Sequence, residues 1–469
     1  MLVRLSDQAP LHLQIYRAFR EAILAGEIPP GSRVPSSRAQ ARDLGVSRNV
    51  VLQAYSQLEA EGYIGGARGS GTYVSHAIPD SLAEPQKSED GRVSTPSPLK
   101  LSPFARRTPG FIGPKRQRLP YDFAYGLARP DETTLRKWQR ALRKAGEKLP
   151  LDYGPPEGEP LLRESIARYL FRNRAVRTTA GELVVTSGSQ QALSLVSRIL
   201  FEPGDAIVIE EPTYQGARQI FAADGLQLLP WPVGEEGLEA DARAAYVTPS
   251  HQFPTGTTMP IGKRLKLLAW ADERNAVVIE DDYDSEYRYE GRPLESIQGL
   301  DASGRVVYVG TFSKVMFPGL RIGYVALPRE LVPSFVRAKW LADRQASLLE
   351  QRALAQFLQS GEFEQHLRRT RARNQRRREA LFDALRTHLR EPHEISGANA
   401  GIHLVAWFPE RTERDIGDWI DSAREVGVGL YSVAPYYLSK PKLPGLLFGY
   451  GNLEEDEIAE GVRRFARLL

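Results

Sequence analysis

Apolar residues recur every three or four positions near the N-terminus and then, further along, come in short unbroken runs. Ile15, Phe19 and Ile23 share one face of a predicted helix, and Val51, Tyr55 and Leu58 share one face of another. Between them, Ser36 is placed to cap a helix that runs to Leu44 and stops at Gly45. Ser47 then caps the helix that ends at Gly62. Helix, short glycine-containing turn, helix is the helix-turn-helix pattern. The segment YIGGARGSGTYV (63–74) follows as two short strands around a Gly-rich tip that carries Arg68, a wing able to bring a cation and bare N–H groups near phosphate.

The pattern changes from about residue 119. LVVTS (183–187), AIVIE (206–210), AAYVT (244–248), AVVIE (276–280), VVYVG (306–310) and IGYVA (322–326) are nearly continuous in apolar residues and alternate with helical stretches. Strands covered on both faces read this way, so an α/β fold with a mainly parallel sheet flanked by helices is expected. Residues 76–118 are rich in Pro, Ser and charge and have no apolar periodicity, which predicts a linker. The organisation is therefore 1–75, an α+β DNA-binding unit; 76–118, a linker; and 119–469, a large α/β unit.

Bulk composition adds exclusions. The 469 residues are 42% hydrophobic and 26% charged, with a net charge of +4 and no cysteine. Disulfides, thiolate metal sites and cysteine nucleophiles are excluded, and no metal centre is expected. The first residues lack the apolar core of a signal peptide, and no run approaches the ~20 apolar residues of a membrane helix, so a cytoplasmic, membrane-free protein is expected.

Charge placement says more than net charge. Ser47, Arg48 and Asn49 fall at the N-terminus of the third helix, the end that enters a major groove. Arg grips guanine bidentately and Asn pairs with adenine. Arg33, Ser36, Ser37 and Arg38 are placed for backbone phosphates. The stretch PSSRAQARDLGVSRNVVLQAYSQLEAEGYIGGARGSGTYV (35–74) closely resembles the winged helix-turn-helix of GntR-type regulators. The resemblance implies that Arg38, Arg48 and Gly69 are among the contacts to operator DNA.

The large unit carries a second chemistry. In GTFSKVMFPGLRIGY (310–324), Lys314 stands among small hydroxyl residues, with an Arg seven positions on. A pyridoxal 5'-phosphate site needs a Lys for the Schiff base and hydroxyls plus an Arg for the phosphate. Lys314 is assigned the first role; Thr311, Ser313 and Arg321 are assigned the second. In AVVIEDDYDSEYRY (276–289), a carboxylate ending a strand would keep the pyridine nitrogen protonated. Asp281 is the choice over its neighbour Asp282, and Tyr283 is expected to hydrogen-bond the ring hydroxyl. In LVVTSGSQQALSLVSRIL (183–200) a small-residue turn opens a helix, so Ser189 and Gln190 are placed to hold the phosphate at a helix N-terminus. Tyr214, in EEPTYQG (210–216), is either a core aromatic or a ring that stacks on the cofactor, and the second is favoured.

Together these motifs resemble fold-type-I aminotransferases over nearly all of 120–469, which implies a PLP-dependent transferase fold with a small C-terminal α+β subdomain. The stretch LDYGPPEGEPLLRESIARYL (151–170) fits too, and the resemblance implies that Tyr153 reaches the cofactor phosphate of a partner subunit in a homodimer. Two positions depart from the enzymes. In PSHQFPTG (249–256), Phe253 stands where they carry an Asn that bonds the ring hydroxyl, and His251 or Gln252 could compensate. In GLLFGYGNL (445–453), Leu447 occupies the place of the Arg that clamps a substrate α-carboxylate. YVTPSHQFPTG and EDDYDSEYRYEGRPL resemble the MocR-type regulators, the GntR subfamily with an aminotransferase-like domain. The resemblance implies a transcription regulator that senses an amine or amino-acid-like effector, or pyridoxal phosphate itself, as a head-to-tail, domain-swapped homodimer. The alternative is an active aminotransferase with an accessory DNA-binding domain. The basic run HLRRTRARNQRRREAL (366–381) reads as a solvated helix face rather than a nucleic-acid patch.

Overall fold

The computed structural model describes residues 9–67, 71–77, 99–108, 110, 119–289, 294–397 and 399–469. The chain forms two compact units, Met1–Lys100 and Leu101–Leu469.

The first unit contains α1 (Leu11–Leu24), α2 (Ser37–Leu44), α3 (Arg48–Ala60), β1 (Ile64–Ala67) and β2 (Gly71–Val74). The Ser36 side chain accepts from the Ala39 N–H at 3.2 Å, and Ser47 accepts from Val50 at 3.4 Å, so each hydroxyl satisfies one of the N–H groups a helix start leaves unpaired. Gly45 ends α2 in the left-handed region at φ +69°, which a side chain would strain. Ile15, Phe19, Val51, Ala54, Leu58, Ile64 and Val74 form the core, with Phe19 edge-on to Tyr55 at 5.5 Å. The strands pair antiparallel, Ile64 opposite Val74, and make the wing. Arg68 and Gly69 lie outside the described residues.

Within the stretch expected to be a linker, residues 103–107 are helical. They form α4 (Pro103–Arg107), capped by Ser102 and pinned by Arg107 Nε donating to the Ala223 carbonyl at 2.9 Å. One turn is too short to show apolar periodicity, so a cap and one arginine hold what the hydrophobic pattern does not announce.

In the second unit β3 (Tyr121–Asp122) leads into β4 (Leu183–Thr186), β5 (Ala206–Glu211), β6 (Gln227–Pro232), β7 (Ala244–Val247), β8 (Val277–Asp282), β9 (Val306–Thr311) and β10 (Gly323–Ala326). The seven strands from β4 to β10 form one sheet in the order β4-β10-β9-β8-β7-β5-β6. It is parallel except at β10, which runs antiparallel to both β4 and β9. Successive residues point to opposite faces, and both faces are apolar. Ile207 and Ile209 pack with Leu193, Val196 and Phe221, while Val208 packs with Leu267 and Trp270 on the other side. This is the mainly parallel, doubly covered sheet that the continuous apolar runs predict.

A smaller sheet follows, built from β11 (Glu394–Ser396), β12 (His403–Trp407), β14 (Tyr431–Ser432) and β15 (Gly445–Gly449), in the order β11-β12-β15-β14; the two-residue β13 (Val428–Gly429) pairs with β3. Its core joins Leu404, Leu446 and Phe448 to Leu381 and Leu385 of the helix Glu362–His388 and to Ile458 and Val462 of the helix Glu455–Ala466. The long helix carries the basic run, and much of its charge is spent inside the unit. Arg377 is fully buried, donating to the Gly451 carbonyl at 2.9 Å and to Glu454 at 2.6 Å, and Arg369 pairs with Asp131 at 3.0 Å.

Candidate cofactor site and DNA-reading face

The C-terminal ends of the parallel strands and the loops that follow them surround one cavity. Its walls include Ser189, Gln190, Tyr214, Asp281, Tyr283, Thr311, Ser313, Lys314 and Arg321. Nine residues proposed from four separate sequence stretches thus line one space. Tyr153 does not line it. It lies exposed, with the Arg344 guanidinium 4.9 Å from its ring centre.

Local geometry explains the convergence. Asp281 and Asp282 end β8 and, as neighbours in a strand, point to opposite faces. Asp281 enters the cavity: its Oδ2 accepts from the Tyr246 hydroxyl at 2.7 Å, and its buried Oδ1 has no hydrogen-bond partner among the described residues. Asp282 turns away to the Arg174 guanidinium at 2.7 Å and the Ser285 hydroxyl at 2.9 Å. Burial pushes the Asp281 carboxyl up to about 7, with Asp282 and Asp284 adding to the rise; the Tyr246 hydroxyl and Lys314 pull the other way.

The helix Ser189–Leu200 starts directly after β4, at Gly188 with φ +88°. Its first N–H groups and dipole favour an anion. Arg321 approaches from the far side, and its Nη2 donates to the Ser187 carbonyl at 2.8 Å. A Cβ at Gly188 would stand 2.9 Å from that guanidinium, so only glycine leaves the arginine room. Arg321 itself is held at φ +52°, an uncommon conformation for a side-chain-bearing residue. Ser313 Oγ is buried with no partner among the described residues, and Thr311 Oγ1 accepts from the Ser313 N–H at 3.1 Å. Lys314 Nζ donates to the Gly126 carbonyl at 3.1 Å. Tyr214 accepts from Gln190 at 3.0 Å, which ties its hydroxyl to the start of that helix.

Two unpaired buried atoms face one cavity: a carboxylate oxygen suited to a pyridinium N–H and a hydroxyl suited to a phosphate. The residues present therefore fit pyridoxal phosphate. Lys314 would hold it covalently, Asp281 its ring nitrogen, and Ser189, Ser313 and Arg321 its phosphate.

Sequence reasoning missed several walls. Tyr125 and Gly126 come from a loop far upstream and His403 from β12 of the small sheet, while Tyr246 of β7 does not line the cavity but bonds Asp281, which does. None lies in a spacing motif; Tyr246 alone had a signal, as a polar-tipped residue in an apolar strand. The two residues expected to compensate for Phe253 lie off the cavity. His251 is tied to Asp284 at 3.0 Å and Gln252 to the Pro212 carbonyl at 2.7 Å, and neither lines the cavity. Tyr283, which donates to the His251 carbonyl at 2.9 Å, is the hydroxyl left on that side.

On the first unit, Arg33, Ser36, Arg38, Ser47, Arg48 and Asn49 are exposed, and Ser37 is half-buried. All but Arg33 gather at the N-termini of α2 and α3, where Arg48 Nε donates to Ser37 Oγ at 3.3 Å; Arg33 bridges to Tyr73 of the wing.

Comparison with known proteins agrees with both halves. Residues 11–74 match the family of bacterial regulatory proteins, gntR family, and residues 124–413 match aminotransferase class I and II. The chain is 37% identical over 465 residues to the probable rhizopine catabolism regulatory protein MocR of Rhizobium meliloti, covering 97% of this chain and 92% of that one. It is 32% identical over 459 residues to the HTH-type pyridoxine biosynthesis transcriptional regulator PdxR of Corynebacterium glutamicum, covering 95% and 93%. Among solved structures, LysN, an α-aminoadipate aminotransferase from Thermus thermophilus complexed with N-(5'-phosphopyridoxyl)-L-leucine, aligns with a TM-score of 0.66 at 30% identity, over 78% of this chain and 94% of that one. The chain belongs to the MocR-type HTH transcriptional regulators, in which a GntR-family DNA-binding domain is joined to an aminotransferase class I and II domain that binds pyridoxal phosphate.

Proposed function

We propose that this regulator senses an amine-type effector, or pyridoxal phosphate itself, at the cavity around Lys314 and converts its state into altered operator binding. The observation that carries the reading is the pair of buried, partnerless polar atoms, the Asp281 Oδ1 acceptor and the Ser313 hydroxyl, on the same cavity as Lys314 and Arg321. Bound there, the cofactor supplies an electrophilic carbon that captures amines. The chain's own residues do the rest. Asp281 holds a proton on the ring nitrogen, Tyr283 bonds the ring hydroxyl, Tyr214 stacks on the ring, and Ser189, Gln190, Thr311, Ser313 and Arg321 hold the phosphate. Arg33, Ser36, Ser37 and Arg38 contact DNA phosphates; Ser47, Arg48 and Asn49, with Arg68 and Gly69 of the wing, complete the operator contacts. An effector switches such a protein only by preferring one conformation, and half-site spacing is where a dimer would register the change.

The homodimer is part of the proposal. Leu151, Tyr153, Leu161, Phe171 and Leu341 are exposed apolar side chains on the large unit, as a covered face would need, and Tyr153 would serve the partner's phosphate. A head-to-tail, domain-swapped arrangement and a cytoplasmic location belong to the same reading; among the described residues no helix is long and apolar enough to cross a membrane. The name of PdxR favours a signal from pyridoxine metabolism, and that of MocR favours a signal from a catabolised small molecule. An enzymatic reading draws on 31% identity to the 2-aminoadipate transaminase of Thermus thermophilus, but Leu447 opposes it.

The test is the absorption spectrum of the purified full-length protein, with operator affinity followed as amines or pyridoxal phosphate are added. A bound-cofactor band whose change tracks a change in DNA affinity is expected. A band that responds while operator binding stays constant would overturn the sensing reading.

A further inference from the structure

The cavity lining is of two kinds. Asp281, Ser189, Ser313 and Arg321 are polar or charged. Tyr125, Tyr214, Phe253 and His403 form a wall of rings. Lys314 Nζ touches the Gly126 carbonyl, so the turn at 125–126 adjoins the reacting amine. Phe253 is the hub of that wall. Its ring centre lies 5.1 Å from Tyr125, 5.8 Å from Tyr214, 5.1 Å from Tyr436 and 5.4 Å from His403. Behind it, Val405, Leu447 and Tyr431 sit opposite one another across β12, β15 and β14, and Leu447 is fully buried in one cluster with Phe253, Val433 and Tyr436.

This wall carries no positive charge among the described residues. The cations that line the cavity are Lys314 and Arg321, and both serve the cofactor. Burial, the neighbouring His251 and, to a lesser degree, Lys314 hold the His403 imidazole well below its usual value, so it is neutral. Burial raises the Tyr436 hydroxyl and pushes Tyr214 up to about 12, which keeps both uncharged. A carboxylate desolvated against such a wall has no counter-charge and is strongly disfavoured. An apolar or aromatic body gains by burial and by edge-to-face contact with the rings.

Resting on the cofactor reading above, we propose that the effector of this site is a primary amine with an uncharged apolar or aromatic body and no carboxylate, a decarboxylated amine rather than an amino acid. Capture needs no oxidant or reductant. The amine nitrogen bonds to the cofactor carbon as the bond to Lys314 Nζ breaks, and two protons pass from the incoming nitrogen to Nζ, which leaves as a free amine.

The experiment compares matched pairs on the cofactor-loaded, full-length protein after free cofactor is removed: phenylethylamine against phenylalanine, tyramine against tyrosine, isopentylamine against leucine. The readout is the concentration that gives a half-maximal change of the visible band. In at least one pair the amine is expected to act at no more than one tenth of the concentration of its amino acid, and in no pair the reverse. A smaller difference in all three pairs, an amino acid that outperforms its amine, or a band that no compound moves overturns the proposal while leaving the cofactor reading intact. Absence of any band after cofactor is added overturns the cofactor reading itself. Leu447→Arg, which offers a clamp, is expected to narrow the preference; the pairs on the unsubstituted protein decide the question even if that variant does not fold.

Discussion

The DNA-reading face and the cofactor cavity use similar residue types under opposite conditions. On the first unit the arginines and hydroxyls are exposed at helix starts, held by few partners. Around Lys314 the polar groups are buried, and an unpaired oxygen there is costly until a ligand satisfies it. The first arrangement gives contacts that are individually modest, additive and screened by salt. The second gives a site in which one group decides occupancy.

Three substitutions sharpen this contrast. Lys314→Ala is expected to have the largest effect: the visible cofactor band disappears altogether, while the far-ultraviolet circular dichroism is unchanged. A band that survives denies Lys314 its role. Arg48→Ala is expected to weaken operator binding by ~1–3 kcal/mol and to relax discrimination at one base position, without touching the band. Binding that weakens equally on operator and random DNA would assign Arg48 to phosphate instead. The third test, at Asp281, reads stability rather than binding and is seen only in the ligand-free protein. Its carboxyl titrates at about 7 in the fold against an ordinary 3.8, so the ligand-free native state takes up the proton first. The stability this contributes is fully present below about pH 4 and is lost as pH rises through 7, with a slope of at most about 1.4 kcal/mol per pH unit. Asp281→Asn removes that fall, so thermal melts of the two ligand-free proteins should diverge between pH 4 and 7, the variant being the more stable above. Parallel curves would show that Asp281 is already ionised.

What the sequence made legible follows the same division. The six strands β4, β5 and β7 to β10 are readable because a doubly covered strand leaves few polar positions, mostly at its end, to confuse the pattern. Lys314, Asp281 and Ser189 are readable because each sits within a few residues of the strand end that aims it. Strand β6 is not: Gln227, Pro230 and Pro232 break any β signature, and an edge position tolerates them because only one side must pair. Tyr125, Gly126 and His403 are brought to the cavity by tertiary packing, from a loop and a different sheet, and no local spacing encodes that. His251 and Gln252 mislead for a related reason. Their chemistry suits the cofactor, but Asp284 and the Pro212 carbonyl hold them elsewhere.

Strand β8 works as a two-sided ruler. One tooth, Asp281, is cut for the cofactor; the next, Asp282, locks Arg174 into the scaffold. A single inserted or deleted residue upstream in that strand would move one aspartate into the other's place, put Glu280 or Tyr283 in the place it left, and damage chemistry and framework in one event. Genetic drift in the length of this segment is therefore closed to the protein, whereas the loops at either end of the strand stay open to it.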